Sequence, residues 1–227
     1  MGNELVDVDR APGLGQVYDV NSYALAAAGR EAGAEVKRIG LVNGEPRKLK
    51  EKIEGAVANS ELVIISGGVG SAASAEVLKI LRQWTTVDTE RIAMHPGSVQ
   101  GFCLVDEVPV FLVPTNPVAA LVEFEVFIRP VIRASLGRDN VQRRYVRARA
   151  VNTVVSRIGR RGYVRARLMR DAETLDYLVE GLAGATGAPA HLLAGLSEAN
   201  ALIRIPQEVD VVRPGDVVDV LFLTQRS

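Results

Sequence analysis

Residues 61–81 read ELVIISGGVGSAASAEVLKIL: an apolar run, a turn holding Gly67, Gly68 and Gly70, then small residues that lead into helical spacing. The run LVII is short and uniformly apolar, which is how a central strand of a parallel sheet reads when helices cover both its faces. After the turn, Val77, Leu78, Leu81 and Trp84 fall on one helical stripe. Where a strand ends in glycines and a helix begins, backbone N–H groups can point outward at an anion, aided by the positive end of the helix dipole. The same glycines serve a plain tight turn equally well, so the motif alone does not choose between them.

Working outward, the first half alternates helices and strands. SYALAAAGREAG, capped by Asn21 or Ser22 and stopped by Gly33, predicts a helix. VKRIGLV at 36–42 reads as a strand, and PRKLKEKIEGAVANS as a helix opened by Pro46. FCLV and VPVFLV are strands about the acidic turn Asp106-Glu107, and Asn116-Pro117 starts a long helix that Pro130 should kink and Gly137 should end. This grammar predicts a doubly wound α/β domain over residues 1–138. Beyond it, VRARA (146–150) and VRARL (164–168) alternate with period two, as strands wet on one face do, and NALIRIP and DVVDVLFL add two more. Only HLLAGLSEA looks helical there, so residues 139–227 are expected to form a small, mostly β domain.

Composition narrows the function classes. The 227 residues are 48% hydrophobic and 24% charged, with 27 basic and 27 acidic side chains. A zero balance calls for no polyanionic partner, and the repeated arginines lack the interleaved aromatics of a nucleic-acid surface. No stretch reads as a signal peptide or a membrane span, and Cys103 stands alone, so a cytoplasmic protein without internal disulfides is expected.

Candidate chemistry gathers at turns. HPGSVQG (95–101) and VPTNP (113–117) also follow strands, and three such turns are expected to meet at one edge of the sheet, where open α/β folds bind ligands. His95 is a candidate base or anion donor, or a structural histidine. His191 is read as packing or capping in the second domain. Glu4, Asp19 and Glu76 are the acids expected nearest the turns.

In order along the chain, GNELV, GQVYDVNSYALAAAGREAGAEV, SGGV, MHPG, VPTNPVAALVEFEVFIRP, GRRGYVRARL and HLLAGLSEANALIRIP resemble the C-terminal half of MoeA, the bacterial counterpart of the gephyrin E domain. Actinobacterial forms look nearest. The resemblance implies a MoaB/MogA-like α/β domain followed by a small β-barrel. It also implies a homodimer that inserts molybdate into adenylylated molybdopterin, with magnesium, and releases AMP. By the same resemblance the catalytic candidates are Glu4, Asp19 and His95. The nucleotide would be held by Ser66, Gly67, Gly68, Val69 and Gly70, by Pro96, Gly97 and Ser98, and by Pro114, Thr115, Asn116 and Pro117.

This sequence departs from the family at three places. Ala75 stands where S-x-G-x-x-D carries an aspartate implicated in the magnesium-dependent step. Ser98 and Val99 replace the K-P of the K/Q-P-G-K-P turn, whose second lysine contacts the anion, and Thr115 replaces the glycine of L-P-G-N-P. The alternative implied by gephyrin-like relatives is a scaffold that binds a peptide of a protein partner, such as a cell-division component, at the dimer edge. For the dimer, the interface candidates are the β domain and the long helix from Pro117, whose Phe124, Phe127 and Ile128 exceed what one helical stripe must bury. The family's two preceding domains are not in this sequence, which reads either as a natural short form or as an excised piece.

Overall fold

The computed structural model describes residues 4–41, 45–71, 74–182 and 198–223. The chain divides into two compact units, residues 1–92 with 99–139, and residues 93–98 with 140–227. The sequence boundary had assigned 93–98 to the first domain. Its strand pairing, given below, puts that excursion in the second.

The first unit runs β1 (Leu5–Val6), β2 (Val17–Tyr18), α1 (Asn21–Ala32), α2 (Pro46–Val57), β3 (Val63–Ser66) and α3 (Ser74–Leu81). After the excursion, which contains β4 (Met94–His95), come β5 (Gly101–Val105), β6 (Val108–Val113), α4 (Pro117–Glu123), a π-turn at Phe124–Ile128 and α5 (Arg129–Ser135). Strand β6 is the centre of a three-stranded sheet, parallel to β3 and antiparallel to β5. The LVII run is therefore at an edge of the described sheet, not its centre. VKRIGLV forms no strand over its described residues 36–41.

Helices cover both faces, as period-two burial requires. Val63, Ile65, Val110 and Leu112 pack with Ile53, Val57, Val77 and Leu81 on one side. Ile64, Phe111 and Val113 pack with Leu25, Ala120, Phe124, Ile128 and Ile132 on the other. The β5–β6 turn has both central residues left-handed, Asp106 at φ 49° and Glu107 at φ 66°, the backbone of a two-residue hairpin whose twist suits the strands.

Asn116 caps α4, its side chain accepting from the Ala119 N–H at 2.9 Å. Replacing Asn116 with alanine is expected to cost about 1 kcal/mol, read as a lowered midpoint in thermal unfolding. Pro130 lies in the first turn of α5, directly after the π-turn. A residue without N–H leaves the carbonyl one turn back without its helical donor, and the widened turn is where the ladder changes step. Gly137 closes the segment at φ 64°. Phe124 and Ile128, offered by the sequence as interface residues, are 0% and 1% exposed and belong to the unit's own core; Phe127 stays on the surface.

The second unit is a closed barrel. Strands β7 (Tyr145–Ala150), β9 (Arg161–Arg170), β10 (Tyr177–Gly181), β11 (Ala201–Ile205) and β13 (Val217–Phe222) pair in the cyclic order β7–β13–β11–β9–β10 and back to β7. The short β8 (Val154–Val155) and β12 (Val211–Val212) pair beside it. Ala148, Ala150, Ala166, Leu168, Ile203 and Val220 point inward, while Arg147, Arg149 and Arg167 face out. Arg165 breaks the expected wet face, being only 5% exposed. The helix read in HLLAGLSEA, with His191, lies almost wholly outside the described residues. No described helix is long and apolar enough to cross a membrane.

Candidate functional site

In the first unit the glycine turn follows β3 directly. Gly67 and Gly70 are left-handed, at φ 79° and 69°, so these positions suit a residue without Cβ. The Gly67 N–H donates to the Val113 carbonyl at 2.8 Å and the Gly68 N–H to the Ile65 carbonyl at 3.3 Å. The Ser71 hydroxyl donates to the Gly67 carbonyl at 2.8 Å. The next three backbone N–H groups, of Val69, Gly70 and Ser71, make no hydrogen bond among the described residues. Three adjacent amide donors left open is the arrangement that cradles an anion. Val69 itself is buried at 2% exposure and anchors the turn in the core.

One residue joins this turn to the next. Asn21, at the start of α1, does not cap its helix. Its amide nitrogen donates to the Ser66 hydroxyl at 2.9 Å, to the Thr115 carbonyl at 2.9 Å and to the Pro114 carbonyl at 3.4 Å. The cap is supplied by Asp19, whose Oδ1 accepts from the Ser22 N–H at 3.1 Å in a buried position. Thr115 is not left-handed, so the backbone here does not demand the glycine it replaces.

Glu4 and Asp19 lie on neighbouring parallel segments: Val17 N–H donates to the Glu4 carbonyl at 2.7 Å and Asp19 N–H to the Val6 carbonyl at 2.8 Å. Glu4 is exposed. A surface network holds this segment to α1, with the Tyr23 hydroxyl donating to Asp7 at 2.6 Å and Arg38 donating to Tyr23 at 2.8 Å and stacking over its ring. The Tyr23 bond holds the partly exposed Asp7 carboxyl below its ordinary range. Glu76 is half-buried on α3, 4.0 Å from Lys79, and Ala75 beside it is exposed.

The His95–Ser98 turn belongs to the second unit. Met94 and His95 pair in parallel with Arg161 and Gly162 of β9. His95 is half-buried, and burial first, then the charges of Arg157 and Arg160, push its imidazole below the usual range. Neither arginine has a carboxylate partner among the described residues. The result is a local positive field around a neutral imidazole, a setting suited to an oxyanion. Gly97 is buried with φ 89°.

Of the three turns expected to gather, the structure brings two together within one unit, through Asn21; the third is held by the barrel. The tying role of Asn21 was outside sequence reading, which took it for a cap. The basic neighbours of His95 were also missed, although Arg160 lies within the GRRGYVRARL motif and Arg157 just before it.

Comparison with known proteins supplies the remaining findings. Residues 1–134 match the family described as "Probable molybdopterin binding domain", and residues 147–223 match "MoeA C-terminal region (domain IV)". Over 229 aligned positions, the whole chain is 53% identical to Molybdopterin molybdenumtransferase 1 of Mycobacterium tuberculosis, covering 54% of that protein. Molybdopterin molybdenumtransferase 2 of the same species is 35% identical over 98% of this chain. A crystal structure of a molybdopterin biosynthesis MoeA protein from Pyrococcus horikosii superposes with a TM-score of 0.81 at 27% identity, covering 99% of this chain and 53% of that one. The chain thus spans about half the length of the curated relatives it matches.

Proposed function

This chain belongs to the MoeA family of molybdenum cofactor biosynthesis proteins, and on that premise we propose that it holds adenylylated molybdopterin at Ser66–Gly70 and serves molybdate insertion into that nucleotide with release of AMP. The observation that carries this reading is the row of open amides at Val69, Gly70 and Ser71, on a turn that Asn21 ties to Pro114–Thr115. Open backbone donors recognise the phosphate oxygens of such a nucleotide without needing a side-chain charge. That fits a turn which, up to Glu76, carries no acid or base.

In the barrel unit, His95, Arg157 and Arg160 are the groups proposed to attract molybdate, compensating for the lysine that Ser98 replaces. A neutral imidazole donates one N–H without the desolvation cost of a buried cation. Ala75 offers no ligand where the family pattern carries an aspartate, and among the described residues no group of three His, Cys, Asp or Glu side chains could hold a metal ion, so no step is derived through magnesium, whose other ligands would be substrate phosphates and water. Asp19 is occupied in capping α1, which makes it a positioning residue for Asn21 and the turn beyond.

Turnover tests the reading: incubation of this chain with adenylylated molybdopterin and molybdate should release AMP, and a chain that binds the nucleotide without releasing AMP would refute the transferase part. The double substitution Arg157→Ala, Arg160→Ala should weaken molybdate binding a few-fold, about 1 kcal/mol for such exposed charges. Because the His95 pKa is lowered, its charge is absent at neutral pH; molybdate affinity should rise only as pH falls through that lowered value. Calorimetric titrations at two pH values check the sign.

A further inference from the structure

The orientation of the Asn21 amide is decided by its partners. Pro114 and Thr115 present carbonyl oxygens, which only accept, so the NH2 end must face them, and the Ser66 hydroxyl completes the set. The carbonyl oxygen Oδ1 therefore points the other way. It is buried, in a residue only 6% exposed, and has no hydrogen-bond partner among the described residues. An acceptor removed from water and left unpaired is unfavourable, and such an atom, in the residue that ties the glycine turn to Pro114–Thr115, suits a donor that arrives with the ligand.

We propose that Asn21 is a specificity-determining residue, whose Oδ1 accepts a hydrogen bond from an N–H or O–H donor of the molecule held at the glycine turn. This rests on the reading of that turn as the nucleotide site and adds a requirement to it. The open amides select an anionic group, and Oδ1 selects for a donor carried beside it. A bare phosphate lacks such a donor unless protonated, whereas a nucleotide or pterin carries amino and hydroxyl groups. The amide's two ends thus have separate tasks: the nitrogen fixes Ser66 against Thr115, and the oxygen reads the ligand.

The test is a side-chain NMR titration of the full chain labelled with 13C,15N-asparagine and 15N-glycine, using adenylylated molybdopterin as probe and Asn21→Asp to assign the Asn21 signals. The expected result is that the Gly67, Gly68 and Gly70 amides shift, the Asn21 Cγ resonance moves downfield, and the Asn21 NH2 protons, still bonded to Ser66 and Thr115, hardly change. Asn21→Ala, which also removes the amide's bonds to Ser66 and Thr115, should then weaken binding about tenfold or more. If the glycine amides shift while Asn21 Cγ stays put, Oδ1 does not meet the ligand, as when water holds it in both states, and the proposal is overturned with the site intact. If the glycine amides do not shift, the nucleotide reading of the turn falls, and this proposal with it.

Discussion

Replacing Glu123 with leucine is expected to stabilise the first unit and to flatten its pH dependence between about pH 5 and 9. Glu123 ends α4 at 2% exposure, its Oε1 has no hydrogen-bond partner, and burial pushes its carboxyl up to about 9. In the unfolded chain the same group titrates near 4.3. Between those values the folded state keeps a proton that the unfolded state has released. Stability is therefore full below the unfolded pKa and falls as pH rises, by about 1.4 kcal/mol per unit. By pH 8 the loss is on the order of 4 to 5 kcal/mol, among the largest effects any one side chain here can have. Leucine removes the titration and fills similar space with apolar contact. Glu123→Gln should flatten the curve too, with less gain, because its amide still buries an unpaired dipole. Trp84, the sole tryptophan and packed against the first unit's core, reports the transition. Urea curves at pH 5, 6, 7 and 8 in which wild type and Glu123→Gln stay parallel would refute the argument.

Gly68→Val should remove nucleotide binding. A Cβ there would sit 3.0 Å from Leu112 Cδ2 and 3.1 Å from both Leu112 Cβ and the Ile65 carbonyl. Backbone oxygen cannot swing aside as a side-chain tip can, and Leu112 is in the core at 1% exposure. The turn must move instead. Overpacking of this kind costs about 1–3 kcal/mol in stability, and displacing the three open amides should cost about a hundredfold in affinity or more. Gly55→Ala, on α2 where an added Cβ meets nothing within 4 Å, is the matched control and should bind as wild type does. A valine variant that folds and binds normally would show that the nucleotide is held elsewhere.

Local signals were legible wherever the governing interaction is local. The helix start at Asn116-Pro117 reads correctly because the cap bond spans three residues, and the Asp106-Glu107 hairpin because its turn and alternation are adjacent in the chain. The barrel strands announced themselves by inward alanines and outward arginines. Where a partner lies far along the chain, the reading failed. VKRIGLV has the residue types of a strand, yet pairing is a property of neighbours. Asn21 looked like a cap, whereas its bonds reach residues 45 and 94 positions away. Arg165 follows the same alternation as Arg147 but is buried, and residues 93–98 leave the first unit through a pairing with β9 that no local pattern encodes. Glu123 follows the apolar run VAALV and gave no sign that its charge would be suppressed.

Equilibrium binding of adenylylated molybdopterin to wild type, Gly68→Val and Gly55→Ala, followed calorimetrically, tests the central claim most directly. Saturable one-site binding by wild type and Gly55→Ala, with none detectable for a folded Gly68→Val, is the predicted result. Absence of binding by all three, or equal binding by all three, would contradict the assignment of the Ser66–Gly70 turn as the nucleotide site.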